Sequence, residues 1–223
     1  ITAYRTGAAG AVAASVLARK DSKKVGVVGT GTQGRMQIHA LREIFELEEI
    51  RAWDIDDAAA RRYSKEMSES LGIQVIASTN LEEVVSGADI VVSVTPSRRP
   101  LVKSDWIDEG MHINAIGADG PGKQELEPSI VARADKVVVD SLSQCRRIGE
   151  IQHALAQGLI SEDSIHAEIG QILVGERTGR ESEREITLFD STGLAAQDIA
   201  AAYVVYQEAR QRNVGITTKL LDF

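Results

Sequence analysis

The sequence predicts an α/β fold built on a doubly wound parallel sheet with helices on both faces. Apolar segments of strand length alternate along the chain with amphipathic segments of helix length. The strand segments, such as Val25–Val28 and Ala88–Val94, are apolar throughout rather than at alternate positions, which is typical of strands covered on both faces. Together, the two patterns predict a parallel sheet between two helical layers.

A glycine-rich turn follows the first predicted strand. Gly29, Gly31 and Gly34 have GxGxxG spacing, and from Met36 onward apolar residues recur at helical spacing. In a dinucleotide fold the first glycine permits the turn, the second lets backbone N–H groups approach a pyrophosphate, and the third allows helix and strand to pack closely. The order of strand, turn and helix predicts a Rossmann-like site, and the alternative is an α/β turn with incidental glycines.

An acidic residue, Asp54, ends the second predicted strand, Ile50–Trp53. An acid at this place accepts hydrogen bonds from the adenosine ribose hydroxyls. Its charge would repel a 2′-phosphate, and Arg51 precedes the strand end, a position that does not suit an NADP clamp. The sequence therefore predicts NAD rather than NADP as the cofactor.

The composition is that of an ordinary globular chain. Of its 223 residues, 43% are hydrophobic and 26% are charged, and the net charge is −8 with a pI near 5.1. This acidity disfavours a nucleic-acid or anionic-membrane surface, and no basic stripe with interleaved aromatic residues is present. No stretch reaches about 18 apolar residues, and no signal-peptide pattern is present. We expect a cytoplasmic protein with neither nucleic-acid nor membrane partners.

Cysteine and histidine usage does not indicate a metal site. Cys145 is the only cysteine, which excludes an internal disulfide and suits a reducing compartment, so we expect it to be a small packed residue. His112, His153 and His166 are dispersed, and no pair has ligand spacing on one helix face. We expect structural or solvent-facing histidines and no metal.

The remaining elements follow from the same periodicities. The alanine-rich segment Ala3–Lys20 predicts a closely packed helix. Arg5 and Thr6 are its polar exceptions, and an arginine in such a segment is ordinarily a solvated helix-end charge. The other predicted elements are helices at Ala58–Leu71, Leu81–Val85, Gln144–Gln157 and Leu194–Arg212, and strands at Gln74–Ala77, Ala88–Val94, Met111–Ile116, Lys136–Asp140 and Ile186–Phe189.

Three polar segments come directly after predicted strands, where ligands of parallel sheets bind. Thr95–Ser97 is either a strand-ending proline turn or part of this crevice. Gly117–Leu126 is an irregular glycine-rich loop in which Asp119 and Lys123 are candidates for a catalytic or cofactor role, unless the acid simply forms an Asx turn. Asp190–Gly193 precedes the last helix and is either an N-cap or a cap that also meets the cofactor.

Six motifs resemble, in order, those of the ornithine cyclodeaminase and mu-crystallin family. They read YRTGAAG, VGVVGTGTQG, TPSRRPLV, HINAIGADGPGKQEL, GEI and FDSTGLAAQD, and they extend over nearly the whole chain. The cyclodeaminases have a cysteine in the loop where this chain has Gly120. The resemblance is therefore greater to the family's alanine dehydrogenases of the archaeal type.

The resemblance implies an activity and its alternatives. The activity is NAD-dependent oxidative deamination of a small L-amino acid, foremost alanine to pyruvate and ammonia, together with the reverse reaction. The alternatives are a cyclodeaminase that converts ornithine to proline, a ketimine reductase, and a mu-crystallin-like protein that binds nucleotide and a small ligand without turnover.

The resemblance also implies roles for individual residues. Asp119 matches the catalytic acid. The implied substrate contacts are Arg5, Lys123 and Thr192. The implied cofactor contacts are Arg5, Thr6, Gly29, Gly31, Thr32, Gln33, Gly34, Asp54, Thr95, Pro96, Ser97, Ile116, Gly117, Ala118, Asp119, Lys123 and Ser191.

The resemblance divides the chain into three parts. Residues 1–20 form a helix leading into the nucleotide domain, residues 21–193 form the NAD-binding domain, and residues 194–223 hold a helix that returns to a substrate and dimerisation domain. Family members carry a further segment ahead of the Arg5–Thr6 motif that forms much of this second domain. We expect either a fragment or a shortened protein, and a homodimer in the full-length form.

Overall fold

The structure, a computed structural model, describes residues 1–218 and has a mixed α/β architecture; residues 219–223 of the last predicted part lie outside the described residues. The strands are β1 (Lys24–Val28), β2 (Glu49–Trp53), β3 (Gln74–Ala77), β4 (Ile90–Ser93), β5 (Arg98–Val102), β6 (His112–Ala115), β7 (Gln124–Leu126), β8 (Lys136–Val139), β9 (Ala167–Glu168) and β10 (Thr187–Asp190). The helices are α1 (Thr2–Leu17), α2 (Thr32–Arg42), α3 (Asp57–Leu71), α4 (Leu81–Val85), α5 (Pro128–Arg133), α6 (Leu142–Ile148), α7 (Ile151–Ala156), α8 (Ile169–Leu173) and α9 (Ala195–Gln211).

Eight of the strands form one parallel sheet in the order β3-β2-β1-β4-β6-β10-β8-β9. From β1 the chain runs outward through β2 to β3 and then returns to the other side of β1 with β4. The strand order therefore reverses between β1 and β4. Ligands of open α/β sheets bind in the crevice beyond the carboxyl ends of the strands at such a point, and Gly29 and Val94 are the residues that follow these two strand ends.

Helices cover both faces of this sheet. On one face, Ile38 and Leu41 of α2 and Tyr63 of α3 pack with Ile50 of β2 in a buried cluster. On the other face, Ile130 of α5 joins a second buried cluster that includes residues of β4, β6 and α7. The apolar strands are thus buried from both sides, and the predicted doubly wound fold is confirmed.

The first helix, α1, packs closely on α2 and on the middle of the sheet. A Cβ on Gly7 would lie 2.6 Å from the carbonyl oxygen of Met36, so the two helices approach at the distance that only glycine allows. Asn114 Nδ2 donates to the carbonyl oxygen of Gly10 (3.0 Å), and Thr187 Oγ1 donates to that of Leu17 (2.8 Å). The predicted close packing of this alanine-rich segment is therefore observed, and strands β6 and β10 hold the helix through hydrogen bonds.

The last helix, α9, packs against α1 and exposes apolar side chains over much of its length. Ile199, Tyr203, Val204 and Val205 are each at least 60% exposed. None of the helices described between residues 1 and 218 is long and apolar enough to cross a membrane.

Two predicted segments differ from the structure. The loop predicted at Gly117–Leu126 ends in strand β7, which pairs in parallel with β5 as a small second sheet that local sequence patterns do not show. The helix predicted over Gln144–Gln157 is two helices, α6 and α7, separated at Gly149. A Cβ on Gly149 would lie 2.4 Å from Asp190 Oδ2, because the backbone approaches this carboxylate closely where the helix is interrupted.

Candidate active site

The turn after β1 uses its three glycines in different ways. Gly29 has a φ of +103°, and a Cβ there would lie 2.9 Å from Thr95 Cγ2. A Cβ on Gly34 would lie 2.3 Å from the carbonyl oxygen of Gly29, so the absence of a side chain lets α2 pack against the turn. A Cβ on Gly31 would meet none of the described protein atoms within 4 Å and would project into the crevice. The backbone at Gly31 is therefore open to a bound group.

The N-terminus of α2 begins at this turn, with Gly31 as its N-cap. Among residues 1–218, no side chain accepts from the first-turn N–H groups that follow at Thr32 and Gln33. Gln33 Oε1 is buried and has no partner among the described atoms. Free N–H groups and the helix dipole favour an anion at this place. The free N–H groups and the helix dipole both fit the pyrophosphate of a dinucleotide.

The carboxylate of Asp54 lies directly beside the turn. Its Oδ2 accepts hydrogen bonds from the N–H and the hydroxyl of Thr30, both at 2.8 Å, and its Oδ1 accepts from the N–H of Asp56 (3.1 Å). Partial burial raises the pKa of Asp54, but these hydrogen bonds outweigh it and leave the pKa below its usual value. Asp54 is therefore charged at neutral pH and retains acceptor sites on the crevice side.

A cavity of about 300 Å³ lies beyond the carboxyl ends of β1, β2 and β4. Apolar side chains form most of its wall, and Asp54 is the acid among them. The Ser97 N–H donates to Thr95 Oγ1 (3.2 Å), which shapes the turn after β4. The structure brings together here the predicted residues Gly29, Gly31, Asp54, Thr95, Pro96 and Ser97, and adds Arg99, which the sequence analysis did not single out.

The loop after β6 holds the predicted catalytic acid as an ion pair. Lys123 Nζ donates to Asp119 Oδ1, four residues earlier in the chain. The Asp119 side chain is 56% exposed and that of Lys123 is 25% exposed, so the pair lies at the surface of the loop. Ile116 and Ala118 are buried, so their backbone rather than their side chains can contact a ligand. The Asp119–Lys123 pair lines neither this cavity nor the cleft described below.

The segment after β10 is organised by the carboxylate of Asp140, which follows β8. Asp140 Oδ2 accepts from the Ser191 hydroxyl (2.9 Å) and the Gly193 N–H (2.6 Å), and Oδ1 accepts from the Thr192 hydroxyl (3.3 Å). The interpretation of this segment as an N-cap was wrong, because the N-cap of α9 is Leu194 and no side chain in the described part of the chain caps that helix. The Ser191 and Thr192 hydroxyls donate to Asp140 instead.

Arg5 lies in the first turn of α1, at the helix end as expected, but its side chain is only 15% exposed and is therefore not solvated. Its Nε donates to Asp198 Oδ1 (3.1 Å) and a terminal nitrogen donates to Gln197 Oε1 (3.2 Å), both at the start of α9. With Asp140 it lines a mainly apolar cleft of about 810 Å³ between α1, α8 and α9. Its neighbour Thr6 is buried, and the Thr6 carbonyl oxygen accepts from Gln37 Nε2 (2.9 Å).

Among residues 1–218, four carboxyl groups are buried near the strand ends, and of these the sequence predicts a role only for Asp190, as part of a helix cap. They are Glu125, Asp140, Glu150 and Asp190. Burial raises the pKa of Glu125 to about 7, that of Asp190 to about 7 and that of Glu150 to about 9. Asp190 Oδ2 accepts from the Ile151 N–H (3.0 Å), whereas its Oδ1 is buried without a partner among the described atoms. The acidic residue type is the only feature of the sequence that could have predicted this cluster.

The histidine and cysteine side chains at the sheet are structural. His112 is buried between Thr187 Oγ1 (2.9 Å) and Asn114 Oδ1 (3.0 Å), and burial lowers its pKa to about 3. Cys145 is buried, which raises the pKa of its thiol. Within residues 1–218, no group of three or more His, Cys, Asp or Glu side chains is arranged to hold a metal ion.

The chain is similar to several known proteins over nearly its whole length. The alanine dehydrogenase of Archaeoglobus fulgidus is 50% identical over 218 residues, which are 98% of this chain and 66% of that protein. A Delta(1)-pyrroline-2-carboxylate reductase of Bacillus cereus is 38% identical over 96% of this chain and 66% of its own length. The chain thus spans about two thirds of the length of these relatives.

Solved structures have the same fold as this chain. An archaeal alanine dehydrogenase dimer with bound NAD superposes with a TM-score of 0.93 at 48% identity, covering 99% of this chain and 68% of that one. The Thermococcus litoralis Delta(1)-pyrroline-2-carboxylate reductase, in complex with NADH and L-proline, superposes with a TM-score of 0.94 at 40% identity, covering 97% and 67%. The profile of the ornithine cyclodeaminase/mu-crystallin family matches residues 1–213, and the chain belongs to this family.

Proposed function

We propose that this chain binds NAD and that its protein catalyses the oxidative deamination of a small L-amino acid, foremost L-alanine to pyruvate and ammonia, and the reverse reaction. The observation that carries the proposal is the open Gly31 backbone beside the charged Asp54, at the point where the sheet order reverses. The 50% identity to an alanine dehydrogenase supports the choice of reaction.

The residues at the turn fit the pyrophosphate and the adenosine ribose of NAD. The uncapped N-terminus of α2 would hold the pyrophosphate, and Gly31 leaves the space that a side chain would fill. Asp54 would accept hydrogen bonds from the ribose hydroxyls, and its charge would repel a 2′-phosphate. When bound, NAD supplies the acceptor for the hydride that leaves the substrate Cα.

Asp119 carries the proton transfers in the proposed reaction. Loss of hydride from Cα leaves an imine, and a water molecule then attacks the imine carbon. The Asp119 carboxylate takes a proton from that water as the water adds, and it returns the proton to the amino nitrogen of the resulting carbinolamine. The C–N bond then breaks to release ammonia, and the hydroxyl proton passes to Asp119 and on to solvent as the carbonyl of pyruvate forms. The Lys123 ammonium orients this carboxylate through the ion pair. Thr192 and Arg5 are the other proposed contacts of the substrate, and a homodimer is the proposed assembly.

The experiment follows NADH absorbance with the purified chain, NAD and L-alanine. Asp119→Asn is the test variant, and Asp163→Asn, at an exposed carboxylate in the turn Glu162–Ser164, is the matched control. We expect NADH formation that falls by about a hundredfold or more in Asp119→Asn and is unchanged in Asp163→Asn. NAD binding without NADH formation would refute the dehydrogenase activity of this chain and favour a binding protein.

A cyclic-imine reductase is the second candidate, because relatives named Delta(1)-pyrroline-2-carboxylate reductase are 36–38% identical over 96% of the chain. Such an enzyme would consume NADH with a cyclic imine and produce a cyclic amino acid. A cyclodeaminase would instead form proline from ornithine without net change in NADH. Parallel assays with alanine, ornithine and a cyclic imine separate the three reactions.

A further inference from the structure

Glu125 is a fully buried acid whose carboxylate is shared between two backbone segments. Its Oε1 accepts a hydrogen bond from the Thr95 N–H, and its Oε2 accepts from the Gly117 N–H at 2.9 Å. The Gly117 N–H also donates to the carbonyl oxygen of Ser93 (3.2 Å). A Cβ on Gly117 would lie 2.4 Å from Glu125 Oε2, so the carboxylate approaches the backbone at the distance that glycine allows. We call this Thr95–Glu125–Gly117 contact the Glu125 bridge.

The two segments that the Glu125 bridge joins lie on the two sides of the proposed site. Thr95 follows β4 and lines the 300 Å³ cavity beside the glycine turn. Gly117 follows β6 and begins the loop that carries Asp119. The sheet pairs β4 with β6 as far as Ser93 and Ala115, and the bridge connects the two segments beyond these strand ends, between the cavity wall and the Asp119 loop.

Helix α7 and Glu150, the residue before it, form hydrogen bonds with the segment that carries Glu125. Glu150 Oε1 accepts from the Glu125 N–H (2.6 Å), and Glu150 Oε2 accepts from the Leu126 N–H (3.2 Å). The His153 Nε2–H donates to the carbonyl oxygen of Lys123 (2.7 Å). The break of the predicted helix at Gly149 therefore places Glu150 and His153 against the strand that presents Glu125.

Folding does not require a charge at Glu125. Burial raises its pKa to about 7, and the groups that face it, Glu150 and Asp190, are also acidic. Among residues 1–218, no ion pair includes any of these three carboxyl groups. An unpaired buried charge destabilises a fold. We therefore attribute the buried acid at Glu125 to a role in the site and not to a role in stability.

We propose that Glu125 is a positioning residue whose ionised carboxylate holds the Thr95 turn and the Asp119 loop at the spacing that the dinucleotide and substrate require. This inference rests on the proposed function for its ligand, but the bridge itself can be tested without any ligand.

The first test measures hydrogen exchange at the Thr95 and Gly117 amides in the ligand-free chain. Glu125→Gln keeps the shape of the side chain but presents an NH₂ group to one of the two N–H donors. Glu127→Gln is the matched control, because Glu127 accepts from the Ser104 N–H (2.8 Å) on the same segment but away from the site. We expect the protection factor of the Thr95 amide to fall by about tenfold to a hundredfold in Glu125→Gln alone. The protection factor of the Gly117 amide should fall less, because the Ser93 carbonyl oxygen still accepts from it. Unchanged protection at both amides would overturn the proposal.

The second test measures NAD affinity by calorimetry between pH 6 and pH 8. We expect wild-type affinity and the two protection factors to fall together as Glu125 is protonated below about pH 7, and Glu125→Gln to bind about tenfold more weakly at pH 8 with little pH dependence. Glu150 stays protonated over this range, whereas Asp190 titrates with Glu125. A pH dependence that persists in Glu125→Gln would belong to Asp190 and contradict the proposal.

The two tests also separate this inference from the proposed function. If wild type binds NAD and Glu125→Gln binds it equally well, the positioning role is wrong although the nucleotide site stands. If wild type does not bind NAD, the proposed function fails, and the exchange rates alone decide whether Glu125 holds the two segments. If Glu125→Gln does not fold, the pH series on wild type decides, because protection at Thr95 and Gly117 must then fall below pH 7 while the sheet core stays protected.

Discussion

Asp140 Oδ2 accepts the Ser191 hydroxyl at 2.9 Å, so one carboxylate at the end of β8 holds the first residue beyond β10. The same oxygen accepts the Gly193 N–H (2.6 Å). The segment that the family resemblance assigns to the cofactor is therefore fixed by an acid on the neighbouring strand, and the Ser191 hydroxyl is already committed as a donor. A ligand at this place would meet the backbone and the lone pairs of Ser191.

The first prediction concerns this contact. Asp140→Asn leaves only one oxygen to accept from the Ser191 and Gly193 donors, so we expect NAD affinity to fall by about tenfold. Asp135→Asn is the control, because Asp135 accepts from the Ile186 N–H (2.7 Å) at the opposite end of the same strand pair. Both variants should lower the melting temperature, but only Asp140→Asn should weaken binding in calorimetry. Equal binding by the two would contradict the role of Asp140.

The second prediction contrasts two glycines of the turn. Gly31→Val places a side chain in open space, so we expect at least tenfold weaker NAD binding. The loss in the free energy of unfolding should stay below about 1 kcal/mol, the cost of replacing glycine by valine at an N-cap. Gly34→Ala places a Cβ 2.3 Å from the carbonyl oxygen of Gly29, so we expect a loss of about 1–3 kcal/mol in the free energy of unfolding. Urea denaturation and NAD titration of both variants check the contrast. A large stability loss in Gly31→Val would show that its crevice side is not open.

The third prediction concerns the choice between NAD and NADP. Asp54→Asn removes the charge that disfavours a 2′-phosphate and weakens the acceptor for the ribose hydroxyls. We expect the ratio of NAD to NADP affinity to fall by about tenfold. Because hydrogen bonds keep the Asp54 pKa below its usual value, wild type should retain its preference for NAD down to about pH 5. Titration with both dinucleotides at pH 5 and pH 8 measures this, with Asp56→Asn as the neighbouring control.

The fourth prediction is the pH dependence of stability. In the unfolded chain Glu125, Asp190 and Glu150 are ionised by pH 6, whereas in the folded chain burial delays their ionisation to about pH 7, 7 and 9. The folded state therefore binds more protons, and its stability falls as the pH rises from 6 to 9. The raised pKa of Glu125 alone corresponds to about 3 kcal/mol.

Urea denaturation at pH 6, 7.5 and 9 measures this dependence. We expect Glu125→Gln to show a smaller fall in the free energy of unfolding than wild type, because one of the three titrating groups is removed. As the pH rises, the free energy of unfolding would then fall, whereas the hydrogen bonds of the Glu125 bridge would become stronger. A free energy of unfolding that rises with pH in wild type would contradict the direction of these pKa shifts.

The sequence predicted the parts of the site that depend on local spacing. The glycine turn and the Thr95 turn follow continuous apolar runs, Asp54 follows strand β2, which lies between them in the sequence, and the structure places all of them at one cavity. The doubly wound sheet follows from the same strands, because helices alternate with them along the chain. These features need only short stretches of sequence to be recognised.

The parts that the sequence did not predict depend on residues far apart in the chain. The hydrogen-bonded pairs Glu125 and Thr95, Glu150 and Glu125, and Ser191 and Asp140 are separated in the sequence by 30, 25 and 51 residues. No periodicity marks such pairs, and an acid after a strand has the same sequence signature whether it binds a ligand or a neighbouring backbone. The expected N-cap at Asp190–Gly193 was wrong for this reason.

The docking of α1 has a consequence for the order in which the protein assembles. Its carbonyl groups are held by Asn114 and Thr187, which lie 104 and 170 residues further along the chain than their partners. At ribosomal elongation rates, about ten seconds or more separate the synthesis of this helix from that of the strand that receives it. The face of α1 that packs on α2 can therefore be covered early, whereas Ala13 and Leu17, which pack with Phe189 of β10, are covered only after that strand has been made.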